Sequence, residues 1–495
     1  MALSISACSG DDVKEATGGE TTPVGGDTGG TTVDAPTWHG HIAPIVVKRC
    51  SACHTRGGVG PFPLDSYAAA APLAGSMVEA VDSGRMPPFL ADETDACTPR
   101  HAYADDTRLT SEQKALLREW ASSGAPEGDA RRAAAIERPR ALGLAREDAV
   151  MQLPSPIAVE HGSHGDLHTC LIVDPKLARD VYVVGRHITP GNDKVLHHVV
   201  TYVLKPQRAD ATGARVSRDQ MLEALRATKG VGIGERYDCF GGPGLDATGL
   251  ASEQLGAWAP GAAPTLSPPD SGQPVAKDAL VVMDLHYHPI AQREEDRDTK
   301  LSLMFADARP ALVSFPIFLG NFTDRFELPS GFGELVKQPG ESAAEFKIPA
   351  GAKNHVEEMS WTWMLPNAPP GQGVRAYFAG THMHYVGRDM MVQLENTSPA
   401  PGESPRECLV HTPRWDFNWQ RGYGWQATYD KLPLMNRGDV VRMRCVYDNT
   451  MDNPFLARAL AEQGLTAPVD VRLGEDTLDE MCLATIGLIY PNPQP

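Results

Sequence analysis

The chain has 495 residues, with 45 Lys+Arg against 63 Asp+Glu and a formal net charge of −18. Such acidity argues against binding nucleic acid or an anionic membrane face through the protein's field. Apolar residues at 42%, with 47 Gly and 41 Pro, exclude global disorder and favour loop-rich β domains over helical bundles.

At roughly 150 residues per domain the length predicts about three domains. No apolar run is long enough to cross a bilayer as a helix. Residues 1–36 are a Gly/Thr/acidic tract that cannot bury enough surface to fold. Its start, Leu3-Ser4-Ile5-Ser6-Ala7-Cys8-Ser9, resembles the end of a bacterial lipoprotein signal, with Cys8 as the lipidation point. The basic and apolar regions of a signal are missing, and the alternative is a disordered tail with an incidental Cys. The expectation is an exported chain, a periplasmic or cell-surface lipoprotein that meets the membrane only through its anchor.

Residues 37–128 read as helical. Ile42, Ile45 and Val46 share a face before Cys50, and Thr110-Ser111-Glu112 opens a run with Leu116, Leu117 and Trp120 on one side. Residues 129–155 read as a linker. Beyond it, short apolar runs such as Val199–Val203 and Val440–Tyr447 are bounded by Gly, Pro, Asn and Asp. They predict antiparallel sandwiches, two of them given the length, over 156–320 and 321–495 with a joint at Pro310–Asn321.

Cys50-Ser51-Ala52-Cys53-His54 is C-x-x-C-H, the attachment pattern of c-type haem. Two thiols one helical turn apart reach the two vinyl groups, and the next His meets the iron. The alternatives are a redox disulfide or half a zinc site, but no second C-x-x-C completes a zinc site. Met86, in Gly84-Arg85-Met86-Pro87-Pro88-Phe89, is the candidate second axial ligand; Met77 sits in an amphipathic run and reads as core. Met/His ligation suits electron transfer. With Val59–Leu64 and Arg85–Phe89, the region resembles the small cytochrome c domains fused to bacterial periplasmic enzymes.

Six of the 16 histidines fall in three groups in the β region: His197-His198, His286-Tyr287-His288 and His382-Met383-His384. Each pair alone is weak evidence. Residues i and i+2 of a strand face one side, so His382 and His384 can share a metal. Adjacent His197 and His198 can do so only where the strand twists or bulges. His39-Gly40-His41 is read as a chance match.

The set resembles the copper type II, ascorbate-dependent monooxygenases, the family of peptidylglycine α-hydroxylating monooxygenase and dopamine β-monooxygenase. Val195–Val199 resembles its His-His pair, Asp284–Pro289 the strand with its third His, Thr381–Arg388 its H-x-H strand, and Asp479-Glu480-Met481-Cys482 its Met ligand beside a disulfide Cys. The order agrees along most of the region after residue 155.

The resemblance implies a first copper on His197, His198 and His286 and a second, O2-reactive copper on His382, His384 and Met481. It also implies disulfides Cys170–Cys239 and Cys445–Cys482, and hence an oxidising compartment. Two imidazoles plus a thioether favour Cu(I). The implied activity is hydroxylation of a C–H bond of a small organic substrate. Electrons would come through the fused haem from a donor, with ascorbate or another reductant as co-substrate.

His288 reads as a structural neighbour of His286, and the role of His168 stays open. Asp284 reads as an exposed strand residue, the alternatives being that it orients a ligand or holds a substrate cation. Gly380 and Thr485 replace the Arg and Tyr of the peptide-amidating branch, so peptide amidation is not expected. The rival functions are a non-enzymatic haem/copper electron carrier or copper-handling protein, and a metal-dependent hydrolase. Cys97 and Cys408 are left as a bridge or as two buried thiols.

Overall fold

The computed structural model describes residues 35–56, 60–135, 143–160, 166–205, 217–239, 242–245, 250–259, 262, 264–290, 292–320, 334–337, 344–364, 373–399, 404–474, 476 and 478–493. Cys8 and the lipoprotein-like tether lie outside these residues, apart from the last two of the tether.

The N-terminal part forms short helices. Thr37 caps a first turn, Trp38–Ile42, which runs into Ala43–Arg49 with Pro44 in its opening turn. Ala74–Asp82 packs on Ser111–Ser122, whose start is a capping box of Thr110 and Gln113. Ile42, Val46, Met77, Val81, Leu117 and Trp120 interlock as their core. Arg118 reaches Asp82 at 2.7 Å across the helix pair.

The stretch after Met86 departs from the expectation of one helical domain over 37–128. Phe89, Ala91 and Tyr103 leave the helical core and join that of the C-terminal β unit. The reason is aromatic packing: Phe89, Tyr103 and Tyr423 meet at 5.1 to 5.7 Å between ring centroids. The main chain pairs there too, Asp92 N to His411 O at 2.9 Å and Ala104 N to Gly424 O at 2.8 Å. Cys97 and Cys408 are disulfide-bonded, which settles the pair left open by the sequence.

Most of the remaining chain is β. In the first unit, a five-stranded antiparallel sheet has Leu280–Tyr287 at its centre, between Leu167–Val173 and Leu196–Lys205. All eight residues of the central strand are buried, because both faces are covered. One face packs within the sandwich through Val281, Met283 and Leu285. The other lies under the helix Arg218–Lys229, where Met221 and Leu225 meet Leu280 and Val282.

In the second unit, Val440–Asp448 is central between Lys353–Thr362 and Gly387–Glu395. The layer opposite both is one sheet of ten strands that runs from the first unit into the second.

Two boundaries differ from those expected. Ala149–Gln152, placed in the linker 129–155, pairs with Lys300–Phe305 and buries Met151. Leu312–Gly320, placed in the first β domain, pairs with Leu483–Pro491 over nine residues and with Ser271–Val275 over only two. It therefore belongs by hydrogen bonding to the second unit. Cys170–Cys239 and Cys445–Cys482 are both bridged. Three disulfides suit an oxidising compartment. Among the described residues no helix is long and apolar enough to cross a membrane.

Candidate metal centres

His286 is the last but one residue of the central strand of the first unit and is 1% exposed. It lies in register with His168 on one side and His198 on the other. The next pair is Tyr287 with Leu196, so His197 is the extra residue of a β-bulge. That bulge is what lets two adjacent histidines turn toward one point. His286 Nδ1 lies 3.1 Å from His198 Nδ1 and 3.2 Å from His197 Nδ1. Three imidazole nitrogens converging this closely suit a metal ion.

Behind them stands Asp166. Its Oδ2 is 2.8 Å from His286 Nε2 and its Oδ1 is 2.8 Å from His288 Nδ1. With Nε2–H donating to the carboxylate, the lone pair of His286 sits on Nδ1, facing the other two rings. Burial raises the Asp166 carboxyl, but the hydrogen bonds from His286 and His288 outweigh it and hold it well below its ordinary value. The same bond to Asp166 raises His288. Burial, then the neighbouring His286, keeps His197 and His198 far below the usual imidazole range, and so neutral.

His168 stacks on the His286 ring at 4.1 Å and 25°. Asp284 is not the exposed residue expected: it is 8% exposed and faces the Cys170–Cys239 bridge, 3.6 Å from Cys239 Sγ. His39 and His41 have local contacts, with Glu127 and with the Thr37 amide.

The second cluster belongs to the C-terminal unit. His382 ends the strand Val374–His382, and His384 lies just past it. Their rings are 5.2 Å apart and perpendicular. His382 Nδ1 is 2.6 Å from Gln420 Oε1, and His384 Nδ1 is 2.9 Å from Asp479 O. Those acceptors fix the protons on Nδ1 and leave Nε2 as the donor nitrogens. Burial pushes the two imidazoles down to about 4 and about 3.

Glu480 is wholly buried, and one of its oxygens accepts the amides of both His384 and Met481. Burial pushes its carboxyl up to about 8, against the pull of backbone amides from His384, Met481, Gly387 and Val386. A single side chain thus ties the His384 and Met481 backbones together. The Cys445–Cys482 bridge and Tyr447, whose hydroxyl donates to Met481 O at 2.9 Å, fix the same point.

The two clusters meet across one ring. Phe417 stacks on His197 at 4.7 Å and 22°, and meets His384 edge-on at 5.9 Å and 86°.

In the helical part, Cys50 and Cys53 are free thiols on the turn after Ala43–Arg49. His54 is 8% exposed, with Nδ1 3.0 Å from Phe62 O, so Nε2 is the nitrogen left to meet a metal. Burial, then the charge of Cys53, pushes Cys50 up to about 12. Met86 is half-buried, its amide donating to Ala80 O at 3.0 Å, whereas Met77 is part of the helical core. Two thiols and an imidazole on one turn fit a covalently attached haem, the thiols for its vinyl groups and the imidazole for its iron.

Sequence reasoning missed Asp166, Phe417, Gln420 and Glu480. Glu480 stands inside the Asp479–Cys482 motif, and Asp166 stands two before His168, so proximity to ligands was a usable signal for both. Phe417 and Gln420 come from a loop that no periodicity marks.

No family model and no curated protein matches the chain. Solved structures give faint likenesses. The major capsid protein P2 from bacteriophage PM2 has 8% identity and a TM-score of 0.22, with 70% of this chain and 98% of that one covered. PNGF-II has 8% identity and a TM-score of 0.24, with 72% and 64% covered. A tandem carbohydrate-binding module of Paenibacillus barcinonensis Xyn10C has 11% identity and a TM-score of 0.15, with 70% and 95% covered. At those TM-scores none of them bears on function.

Proposed function

We propose that the chain is a copper-dependent monooxygenase that hydroxylates a C–H bond of a small organic substrate, with electrons passing through a fused c-type haem. The observation that carries this reading is the pair of imidazole clusters, one of three converging Nδ1 atoms, facing each other across Phe417. Copper at the two clusters would supply one-electron chemistry toward O2, and haem on Cys50, Cys53, His54 and Met86 would supply electrons singly. Overall, R–H, O2, two electrons and two protons give R–OH and water.

The chain's own residues divide the work. His197, His198 and His286 offer a three-nitrogen set, oriented by Asp166. His382, His384 and Met481 offer two nitrogens and a thioether, oriented by Gln420, Asp479 and Glu480. Burial keeps the imidazoles neutral, so protons compete little for the metal. The proposal includes export, lipid anchoring through Cys8 and reduction by a separate donor or by ascorbate.

Metal analysis with an O2-dependent product screen tests the reading. About two coppers and one haem per chain are expected, and a chain lacking copper would sink it. Met481→Ala should abolish product formation while haem reduction persists. Unchanged product formation in that variant would remove Met481 from the reactive site, and haem reduction with no product even from the wild type would point instead to an electron carrier.

A further inference from the structure

The loop Arg414-Trp415-Asp416-Phe417-Asn418-Trp419-Gln420-Arg421 touches all three parts of the molecule. Arg414 lies against Gly84 (whose missing Cβ leaves room for the guanidinium) and pairs with Asp92 at 3.3 Å, both in the N-terminal region. Trp415 donates its indole N–H to His384 O at 3.1 Å. Gln420 binds His382 Nδ1 through Oε1 and Phe417 O through Nε2 at 3.0 Å. Phe417 itself is 6% exposed, and it packs on His197, His384 and Tyr385.

We propose that Phe417 is a positioning residue that fixes the local spacing of the two imidazole clusters. The inference rests on the copper reading of those clusters. A buried aromatic ring is a stiff spacer: it has two side-chain torsions, and here His197 stacks on it while His384 meets it edge-on. The first cluster comes from one β unit and the second from the other; the ten-stranded sheet joins the units, and the Phe417 ring packs on both clusters. Phe417 spaces the clusters locally by that contact, and the Gln420–Phe417 bond locks the spacer to the ring of His382.

The test is copper titration of the full chain, followed by electron paramagnetic resonance of the oxidised protein. Wild type should show one well-defined dipolar coupling between two Cu(II) ions. In Phe417→Ala the coupling should spread at least about twofold. Phe417→Leu keeps apolar volume, guards against misfolding and should show a smaller change in the same direction. Phe417→Tyr should restore the wild-type coupling. Wild-type coupling in both the Ala and Leu variants overturns the spacer role alone. A wild-type chain that fails to bind two coppers overturns the metal reading with it.

Discussion

Replacing Asp166 by Asn keeps the volume at that position and removes the charge that orients two imidazoles. Carboxylates behind metal-bound histidines are worth roughly 10–100-fold in metal affinity. On the proposed copper reading, Asp166→Asn should therefore weaken copper binding at the His197/His198/His286 cluster by about that factor and leave the His382/His384 cluster unchanged, as competitive titration against a chelator would read. Cys50 gives a second residue-level expectation. Its thiol is pushed up to about 12 by burial. In haem-free protein, alkylation at pH 8 should be slower at Cys50 than at an unperturbed thiol, since the thiolate is the nucleophile. The sign for stability follows. An unfolded chain releases this proton near the ordinary thiol value and the folded one does not. Stability is thus fully present below that value and falls as pH rises toward about 12. Equal alkylation rates would show that Cys50 is exposed.

At the scale of elements, the extended stretch from Phe89 to Tyr103 holds the helical part to the second β unit by aromatic contact, main-chain pairing and the Cys97–Cys408 bridge. Cys97→Ala/Cys408→Ala should raise hydrogen exchange in residues 89–105 and leave the core of the first β unit protected. Unchanged exchange would mean that the aromatic cluster alone suffices. This stretch also marks where the sequence stopped being legible. Local pattern sufficed for the helices around Trp38 and Trp120 and for β strands such as Val440–Asp448, because each carries its own period of buried residues. It also picked out the six clustered histidines and stated the condition for the adjacent pair, which the bulge at His197 meets. It failed for Phe89 and Tyr103, whose partner Tyr423 lies more than 300 positions away. The carboxylates and the aromatic spacer were hidden for the same reason: their roles exist only once distant segments meet.

Across the whole molecule, the ten-stranded sheet binds the two β units into one hydrogen-bonded layer, with Leu312–Gly320 as the shared strand. Calorimetry of the full chain should show the β units melting in one transition; two well-separated transitions would contradict this coupling. Gly320 sits at φ +128 with Cys482 O 2.3 Å from where a Cβ would be. Gly320→Ala should lower that transition, at a cost of about 1–3 kcal/mol. The long disulfide has a consequence for how the protein is made. Cys97 and Cys408 are 311 residues apart, whereas the other two bridges span 69 and 37. At about 5–20 residues per second, a chain exported as it is made would bring Cys97 into the oxidising compartment roughly 15–60 s before its partner. During that interval Cys50, Cys53, Cys170 and Cys239 are all available to it. On the proposed haem reading, correct assembly therefore favours early capture of Cys50 and Cys53 and prompt closure of Cys170–Cys239, with Cys97 joined last. A cell poor in disulfide isomerisation would be expected to accumulate chains mispaired at Cys97.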